Sequence, residues 1–265
     1  MQIGNLILIS PAIFLSVAAI VVLLLGVVAA KRPSKGLDHF APSQYLAPAL
    51  MAVAAFATAW LLGIEMAAIH NGTFRFEDIG LFVVNGHAQI TVDPFSLILS
   101  FIACAGTLVV MLLSLDHFGE NQLHKAEYYA LLMFATVAAS LAAASSDLIA
   151  IYLAIEFLSL ISYILAAYAK TDRRSAEASL KYFLYGAACS AIMLYGMSIL
   201  FGVTGGNTSL SAIASGFFVK GPAGQFGPAA SGVGWVGIMF VLVGFGFKLA
   251  LVPFQSWAPD TYEGA

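Results

Sequence analysis

Glu156, Lys181 and Lys248 are ionisable side chains inside stretches of the chain that are otherwise apolar. A charged side chain in hydrocarbon is costly, so such residues face the interior of a helix bundle and pair with one another. One acid and two bases in successive apolar segments therefore predict a path for protons or other ions.

Glu156 lies nine residues into the fifth apolar segment, which is about 13 Å deep at 1.5 Å per residue. Tyr152, Ser159 and Tyr163 stand at helical spacings on the same face. This polar stripe predicts that the carboxylate faces protein and titrates. The alternative is a glutamate kept protonated or locked in a structural ion pair.

Lys248 lies about 22 Å into the seventh apolar segment. Gly244 and Gly246 precede it, and Pro253 follows. Because proline has no N–H to donate, we expect this helix to be broken near Pro253. A broken helix beside a lysine predicts a functional cation suited to reversible protonation. The alternative is a lysine whose ammonium reaches the interface.

Glu177 and Lys181 are spaced i, i+4 near the start of the sixth segment, which is the favourable order for an ion pair. One reading is a helix-end salt bridge. The other reading places Glu177 and Lys181 among the residues of proton translocation. Lys181 would then approach either Glu156 or Lys248, which is a physical route to a proton switch. The sequence does not show whether these helices adjoin.

The composition is that of a polytopic membrane protein, with 61% apolar and 9% charged residues, against about 25% charged residues in soluble domains. A net charge of −3 argues against a nucleic-acid partner. Cys104 and Cys189 lie in apolar stretches and are predicted to be packing residues. No metal-ligand, haem, iron–sulfur or dinucleotide motif occurs, so we expect no cofactor or metal in this chain.

Seven apolar segments are long enough to cross a bilayer, which predicts an all-α fold. They cover approximately residues 5–30, 45–69, 94–115, 127–145, 147–169, 177–203 and 233–258. Seven Lys and Arg residues fall in the odd-numbered connections and two in the others. This asymmetry predicts an N-terminus on the outer side. The first segment has the length of a membrane helix and not of a cleavable signal peptide.

Local signals predict the connections. Asn85-Gly86 lies between two alternating runs and predicts a small β-hairpin on the outer face near 81–92. Asp93 followed by Pro94 predicts a capped helix start, and Asp147 predicts another. A short amphipathic helix is expected near 209–218.

Three motifs carry a family resemblance: DLIAIYLAIEFLSL at 147–160, SAEASLKYFLYGA at 175–187 and GFGFKLALVPFQSWAPDTYEGA at 244–265. They resemble the antiporter-like membrane subunits of respiratory complex I, and most of all the subunit N family of NADH-quinone oxidoreductase. The resemblance extends along the whole chain.

The resemblance implies redox-driven proton translocation in a bacterial inner membrane. It assigns Glu156, Lys181 and Lys248 to a chain of protonatable residues. It implies other membrane subunits of the complex as partners, with the quinone pool involved indirectly. NADH, FMN, iron–sulfur clusters and quinone would belong to those partner subunits.

Two departures from the family pattern matter. Gln255 stands where family members typically have histidine. The family fold has about fourteen helices with two inverted five-helix repeats, whereas this chain ends after the seventh segment. We therefore expect an N-terminal part (1–126) and an incomplete first repeat (127–265) that does not pump alone, as a fragment or one piece of a split subunit. The alternative functions are a subunit of a multisubunit cation/proton antiporter and a non-pumping membrane scaffold.

Overall fold

The computed structural model describes residues 10–30, 42–70, 81–84, 87–115, 125–169, 171–218 and 232–265. These residues form nine α-helices and one two-stranded sheet. The helices are α1 Ser10–Ala30, α2 Pro42–His70, α3 Pro94–Ser114, α4 Lys125–Ala144, α5 Leu148–Ala166, α6 Arg173–Val203, α7 Leu210–Phe218, α8 Gly232–Lys248 and α9 Trp257–Gly264. The strands are β1 Leu81–Val84 and β2 His87–Ile90.

Six of these helices, α1 to α6, are long and apolar enough to cross a membrane, and α8 is a shorter apolar helix. The predicted all-α multi-pass membrane fold is confirmed. The hairpin is confirmed by β1 and β2, although its turn residues Asn85 and Gly86 lie outside the described residues.

The chain forms two compact units. The first contains residues 1–85 and 90–145, with helices α1 to α4 packed against one another. Its core is lined by small and flexible apolar side chains. Two hydroxyl pairs join α3 to α4: Thr107 with Thr136 at 2.8 Å, and Ser114 with Tyr129 at 3.3 Å. The buried core includes Leu15, Ala19, Val22, Met51, Cys104, Met111, Tyr129 and Met133.

The second unit contains residues 86–89 and 146–265. Helix α6 is its centre, because α5, α8 and α9 all pack on α6. The core between these helices consists of Leu148, Met193, Met197, Leu200, Ile213, Phe217 and Val241. The predicted division of the chain at residue 126 concerns repeats and stays a prediction.

Glycines allow α6 and α8 to approach closely. A Cβ atom on Gly196 would lie 2.7 Å from the carbonyl oxygen of Gly237, and one on Gly244 would lie 2.4 Å from Sδ of Met193. Small residues at helix contacts are typical of membrane proteins, where close backbone approach supplies van der Waals attraction.

Both predicted helix caps are present. Asp93 accepts a hydrogen bond from the Ser96 amide at 2.7 Å, and Ser96 Oγ accepts one from the Asp93 amide at 3.0 Å. Together they form a reciprocal capping box before α3. Asp147 accepts from the amide of Ile149 at 2.9 Å and also from the hydroxyl of Thr208. Asp147 therefore caps α5 and ties it to the segment before α7.

The break after α8 lies earlier than the proline predicts, since α8 ends five residues before Pro253. Ala250 adopts a left-handed conformation with φ of 49°. The amide of Leu251 donates to the carbonyl of Gly246 at 2.8 Å, and that of Ala250 donates to Phe247 at 3.0 Å. This pair of bonds is the Schellman helix ending. The helix thus ends with the carbonyls of Gly246 and Phe247 satisfied, before proline can affect it.

Candidate functional site

Glu156 lies on α5 and is half-buried. Its Oε1 accepts a hydrogen bond of 2.5 Å from Oγ of Ser190, which is buried on α6. A short bond from a hydroxyl to a carboxylate is charge-assisted and is stronger than a bond between neutral groups. The carboxylate is therefore fixed against α6 and does not face the apolar surroundings of α5.

Lys248 is the last residue of α8. Its Nζ donates a hydrogen bond to Oγ of Ser159, a side chain on α5 with 1% of its surface exposed. Ser159 Oγ in turn donates to the carbonyl of Ile155 at 2.5 Å. A cation at a helix C-terminus is also favoured by the helix dipole. The lysine is thus held between the end of its own helix and a buried hydroxyl.

Two aromatic rings flank the lysine. Nζ of Lys248 lies 5.5 Å from the ring centre of Tyr163 and 5.4 Å from that of Phe247. These distances permit cation–π attraction. Tyr163 has room there because α6 carries Gly186, where a Cβ would lie 1.9 Å from the tyrosine hydroxyl oxygen.

Glu156 and Lys248 therefore belong to one group of side chains, together with Ser159, Tyr163 and Ser190; we call this group the acid–base cluster. Ser159, which accepts from Lys248, lies three residues after Glu156 on α5 and so links the two ionisable residues. Each serine hydroxyl can both donate and accept a hydrogen bond. The arrangement can hold a proton on either the carboxylate or the amine and stabilise both states.

Lys181 belongs to a different group. Its Nζ lies 3.0 Å from Oε1 of Glu177 and 2.8 Å from Oδ2 of Asp260 on α9. The i, i+4 ion pair read from the sequence is present. Helix α6 begins at Arg173, earlier than predicted, because Asp172 accepts from the Arg174 amide at 2.9 Å. Glu177 therefore lies beyond the first turn.

Sequence reasoning missed three side chains. The partners of Ser190 and Asp260 lie 34 and 79 residues away along the chain, so no local sequence pattern indicates these two residues. Glu65 on α2 was passed over as well, although its side chain is completely buried in the first unit. The sequence offers one signal for these three side chains, which is that each lies in or beside an apolar segment. Gln255, in place of the family histidine, is exposed in the segment between α8 and α9.

Comparison with known protein families shows which class of membrane protein the second half of the chain resembles. Residues 145–265 match the family described as the transmembrane domain of NADH:quinone oxidoreductase and the Mrp antiporter. This match contains the whole acid–base cluster and the group around Lys181. Residues 145–265 are therefore similar to the antiporter-like membrane domain of this family.

Individual relatives match a larger part of the chain. The chain is 35% identical over 258 residues to NAD(P)H-quinone oxidoreductase subunit 2 of Gloeobacter violaceus, covering 96% of this chain and 44% of the relative. It is 42% identical over 173 residues to NADH-quinone oxidoreductase subunit N of Myxococcus xanthus, covering 65% and 32%. The resemblance to the subunit N family is confirmed.

Solved structures agree with the fold. Respiratory complex I from Thermus thermophilus with bound Aureothin matches 96% of this chain and 47% of its own, with a TM-score of 0.65 and 26% identity. The archaeal membrane-bound sulfane sulfur reductase matches the whole chain and 48% of its own, with a TM-score of 0.72 and 19% identity; this second likeness concerns the fold alone. The chain spans less than half the length of each of these relatives.

Proposed function

We propose that this chain is part of a membrane subunit of an NADH-quinone oxidoreductase, and that it contributes to proton translocation through Glu156 and Lys248. The partners would be other membrane subunits of the complex, in a bacterial inner membrane with the N-terminus outside. NADH, FMN, iron–sulfur clusters and quinone would be bound by those partner subunits, and this chain would carry out no redox step.

The observation that supports this proposal is the acid–base cluster. An amine and a carboxylate lie on two different helices, and each is hydrogen-bonded to a serine hydroxyl of a neighbouring helix. Intramembrane acids and bases mark proton and ion paths because their burial is otherwise unfavourable. A purely structural ion pair would be expected to join Nζ and the carboxylate directly, whereas here each contacts a hydroxyl.

A cation/proton antiporter is the second candidate, because the family description also names the Mrp antiporter. The same cluster would serve an antiporter, with Na⁺ or K⁺ as the exchanged ion. The two functions differ in ion dependence. Proton movement driven by NADH without added Na⁺ or K⁺ supports the oxidoreductase, and an absolute need for either ion supports the antiporter.

The decisive change is Lys248→Ala in the full-length parent subunit within its assembled complex. We expect the complex to assemble and to lose most of its proton translocation, because the only cation of the acid–base cluster among the described residues is removed. Proton uptake into inverted membrane vesicles on NADH addition measures this, at matched amounts of assembled complex.

Leu249→Ala is the matched control, since Leu249 is the next residue and its side chain is 68% exposed in this chain. It should leave translocation near the parent level. Unchanged pumping in an assembled Lys248→Ala complex would contradict the role proposed for the lysine. Loss of assembly in this variant alone would favour a scaffold.

A further inference from the structure

The helix after the break, α9, packs on α6 through a single face. Trp257 and Thr261 are its buried side chains, one helical turn apart. The Trp257 ring stacks on Tyr182 of α6, with ring centres 4.4 Å apart and planes at 11°. Such offset or stacked aromatic pairs add to the energy of area burial. Trp257 is therefore the apolar anchor of α9.

Gly264 brings the far end of α9 against the same helix. A Cβ at this position would lie 2.6 Å from Cβ of Ala178 and 2.9 Å from the carbonyl oxygen of Arg174. Both are nearer than ordinary contacts, so the two backbones meet here. Helix α9 thus lies directly along the first three turns of α6.

Between these two contacts lies Asp260. Its Oδ2 accepts a hydrogen bond of 2.8 Å from Nζ of Lys181, and the same Nζ lies 3.0 Å from Glu177. One cation is therefore shared by carboxylates of two helices. Without the lysine charge, two negative groups would face each other across the contact, and like charges at this range repel.

The same face of α9 also contacts the end of α8, next to the acid–base cluster. Nε1 of Trp257 donates a hydrogen bond of 2.9 Å to the carbonyl of Phe247, the residue before Lys248. The two sides of the break are thus joined across ten residues of chain. Any loosening of α9 from α6 would weaken this bond and free the end of α8.

We propose that Asp260 is a positioning residue for Lys248. Through Lys181 it holds α9 on α6, and through Trp257 the docked α9 fixes the end of α8 that carries the lysine. The inference rests on the proposed function for its effect on proton movement. The docking itself is a separate physical claim and is tested separately.

Docking is measured with Thr261→Cys in the full-length subunit of the assembled complex, labelled in membranes with a small maleimide. Thr261 is 7% exposed on the docked face. Labelling of the peptide that contains residue 261 is quantified by mass spectrometry. We expect slow labelling in this parent and labelling several-fold faster when Asp260→Asn or Lys181→Gln is added.

The controls use the same two helices. Glu263→Gln removes an equal charge from an exposed position of α9 and should leave labelling slow. Asp260→Glu, and the exchanged pair Asp260→Lys with Lys181→Asp, should restore slow labelling. If Asp260→Asn does not accumulate, Lys181→Gln and the exchanged pair decide the outcome.

Slow labelling in both Asp260→Asn and Lys181→Gln would overturn the docking claim, as would fast labelling in Glu263→Gln. The positioning role predicts in addition that protons moved per NADH oxidised fall in Asp260→Asn and recover in Asp260→Glu. Fast labelling with unchanged pumping would overturn that role while leaving docking intact. Failure of the proposed function would appear instead as unchanged pumping in Lys248→Ala, whatever the labelling rates.

Discussion

Replacing Gly196 by alanine should force α6 and α8 apart. The added Cβ would lie 2.7 Å from both the carbonyl oxygen of Gly237 and Cβ of Phe240, and 2.8 Å from the amide nitrogen of Val241. Two of these three atoms belong to the backbone of α8, so no side-chain rotation can relieve the contact. Since ordinary contact begins near 3.4 Å, α8 must move by about 0.7 Å at this point.

The expected change in the free energy of unfolding is the balance of two opposed effects. Exchanging glycine for alanine inside a helix gains about 0.5–1 kcal/mol, whereas overpacking a closely packed contact costs about 1–3 kcal/mol. The matched control is Gly202→Ala on the same helix, where no atom lies within 4 Å of the added Cβ. We expect Gly202→Ala to be neutral or stabilising and Gly196→Ala to be destabilising.

The assay is unfolding of the purified full-length subunit in mixed micelles of increasing SDS fraction, followed by helical circular dichroism. Gly196→Ala should unfold at a lower SDS fraction than the parent. It should differ from Gly202→Ala by about 1–3 kcal/mol, which is the overpacking cost alone. Identical unfolding curves for the two variants would refute the close contact of α6 and α8.

Two further predictions concern backbone geometry in the second unit. Asp147→Ala should lower the free energy of unfolding by about 1–2 kcal/mol because it removes the cap of α5 and leaves the Thr208 hydroxyl without its acceptor. Asp147→Asn should retain most of the stability. The same micelle assay compares the two variants, and equal losses of stability would count against capping. Ala250→Gly should be neutral or stabilising by up to about 1 kcal/mol, because glycine adopts positive φ freely. Ala250→Val should destabilise the protein, because a β-branched residue is strained at positive φ. The thermal stability in detergent should be highest with glycine at position 250, lower with alanine and lowest with valine. A reversed order would contradict the left-handed helix ending.

Local features could be predicted from the sequence because their causes lie within a few residues. The caps at Asp93 and Asp147 depend on a side chain and the amides two or three positions later. The hairpin depends on two turn residues and the alternation around them. Length and apolar content were sufficient for the membrane helices, since backbone groups in hydrocarbon must be satisfied within the helix.

The partners within the candidate site could not be predicted, because they depend on how α5, α6, α8 and α9 pack. Glu156 and Lys248 were recognised by type and depth, but nothing in the order of residues pairs Ser190 with Glu156. Asp260 could likewise be assigned to Lys181 only once α9 was placed on α6. The competition of Lys181 for Glu156 remains a prediction, since in this structure Lys181 is bound to Glu177 and Asp260.

The predicted break near Pro253 is present, although α8 already ends five residues earlier. Pro253 is the conspicuous residue, and its missing N–H disfavours a continuous helix. The chain nevertheless leaves the helix at Ala250, an alanine in a conformation that alanine rarely adopts. The residue types do not predict this helix ending, because the Schellman hydrogen bonds depend on the path of the chain after the helix.

The length of α8 has a consequence for hydration. At 17 residues it rises about 25 Å, which is less than the roughly 30 Å of a bilayer's hydrocarbon. Residues 249–256 follow α8, and their peptide groups are not all paired within a helix. Such groups require polar partners in protein or water, so we expect water to reach the end of α8. Lys248, the last residue of α8, would then be in contact with this water.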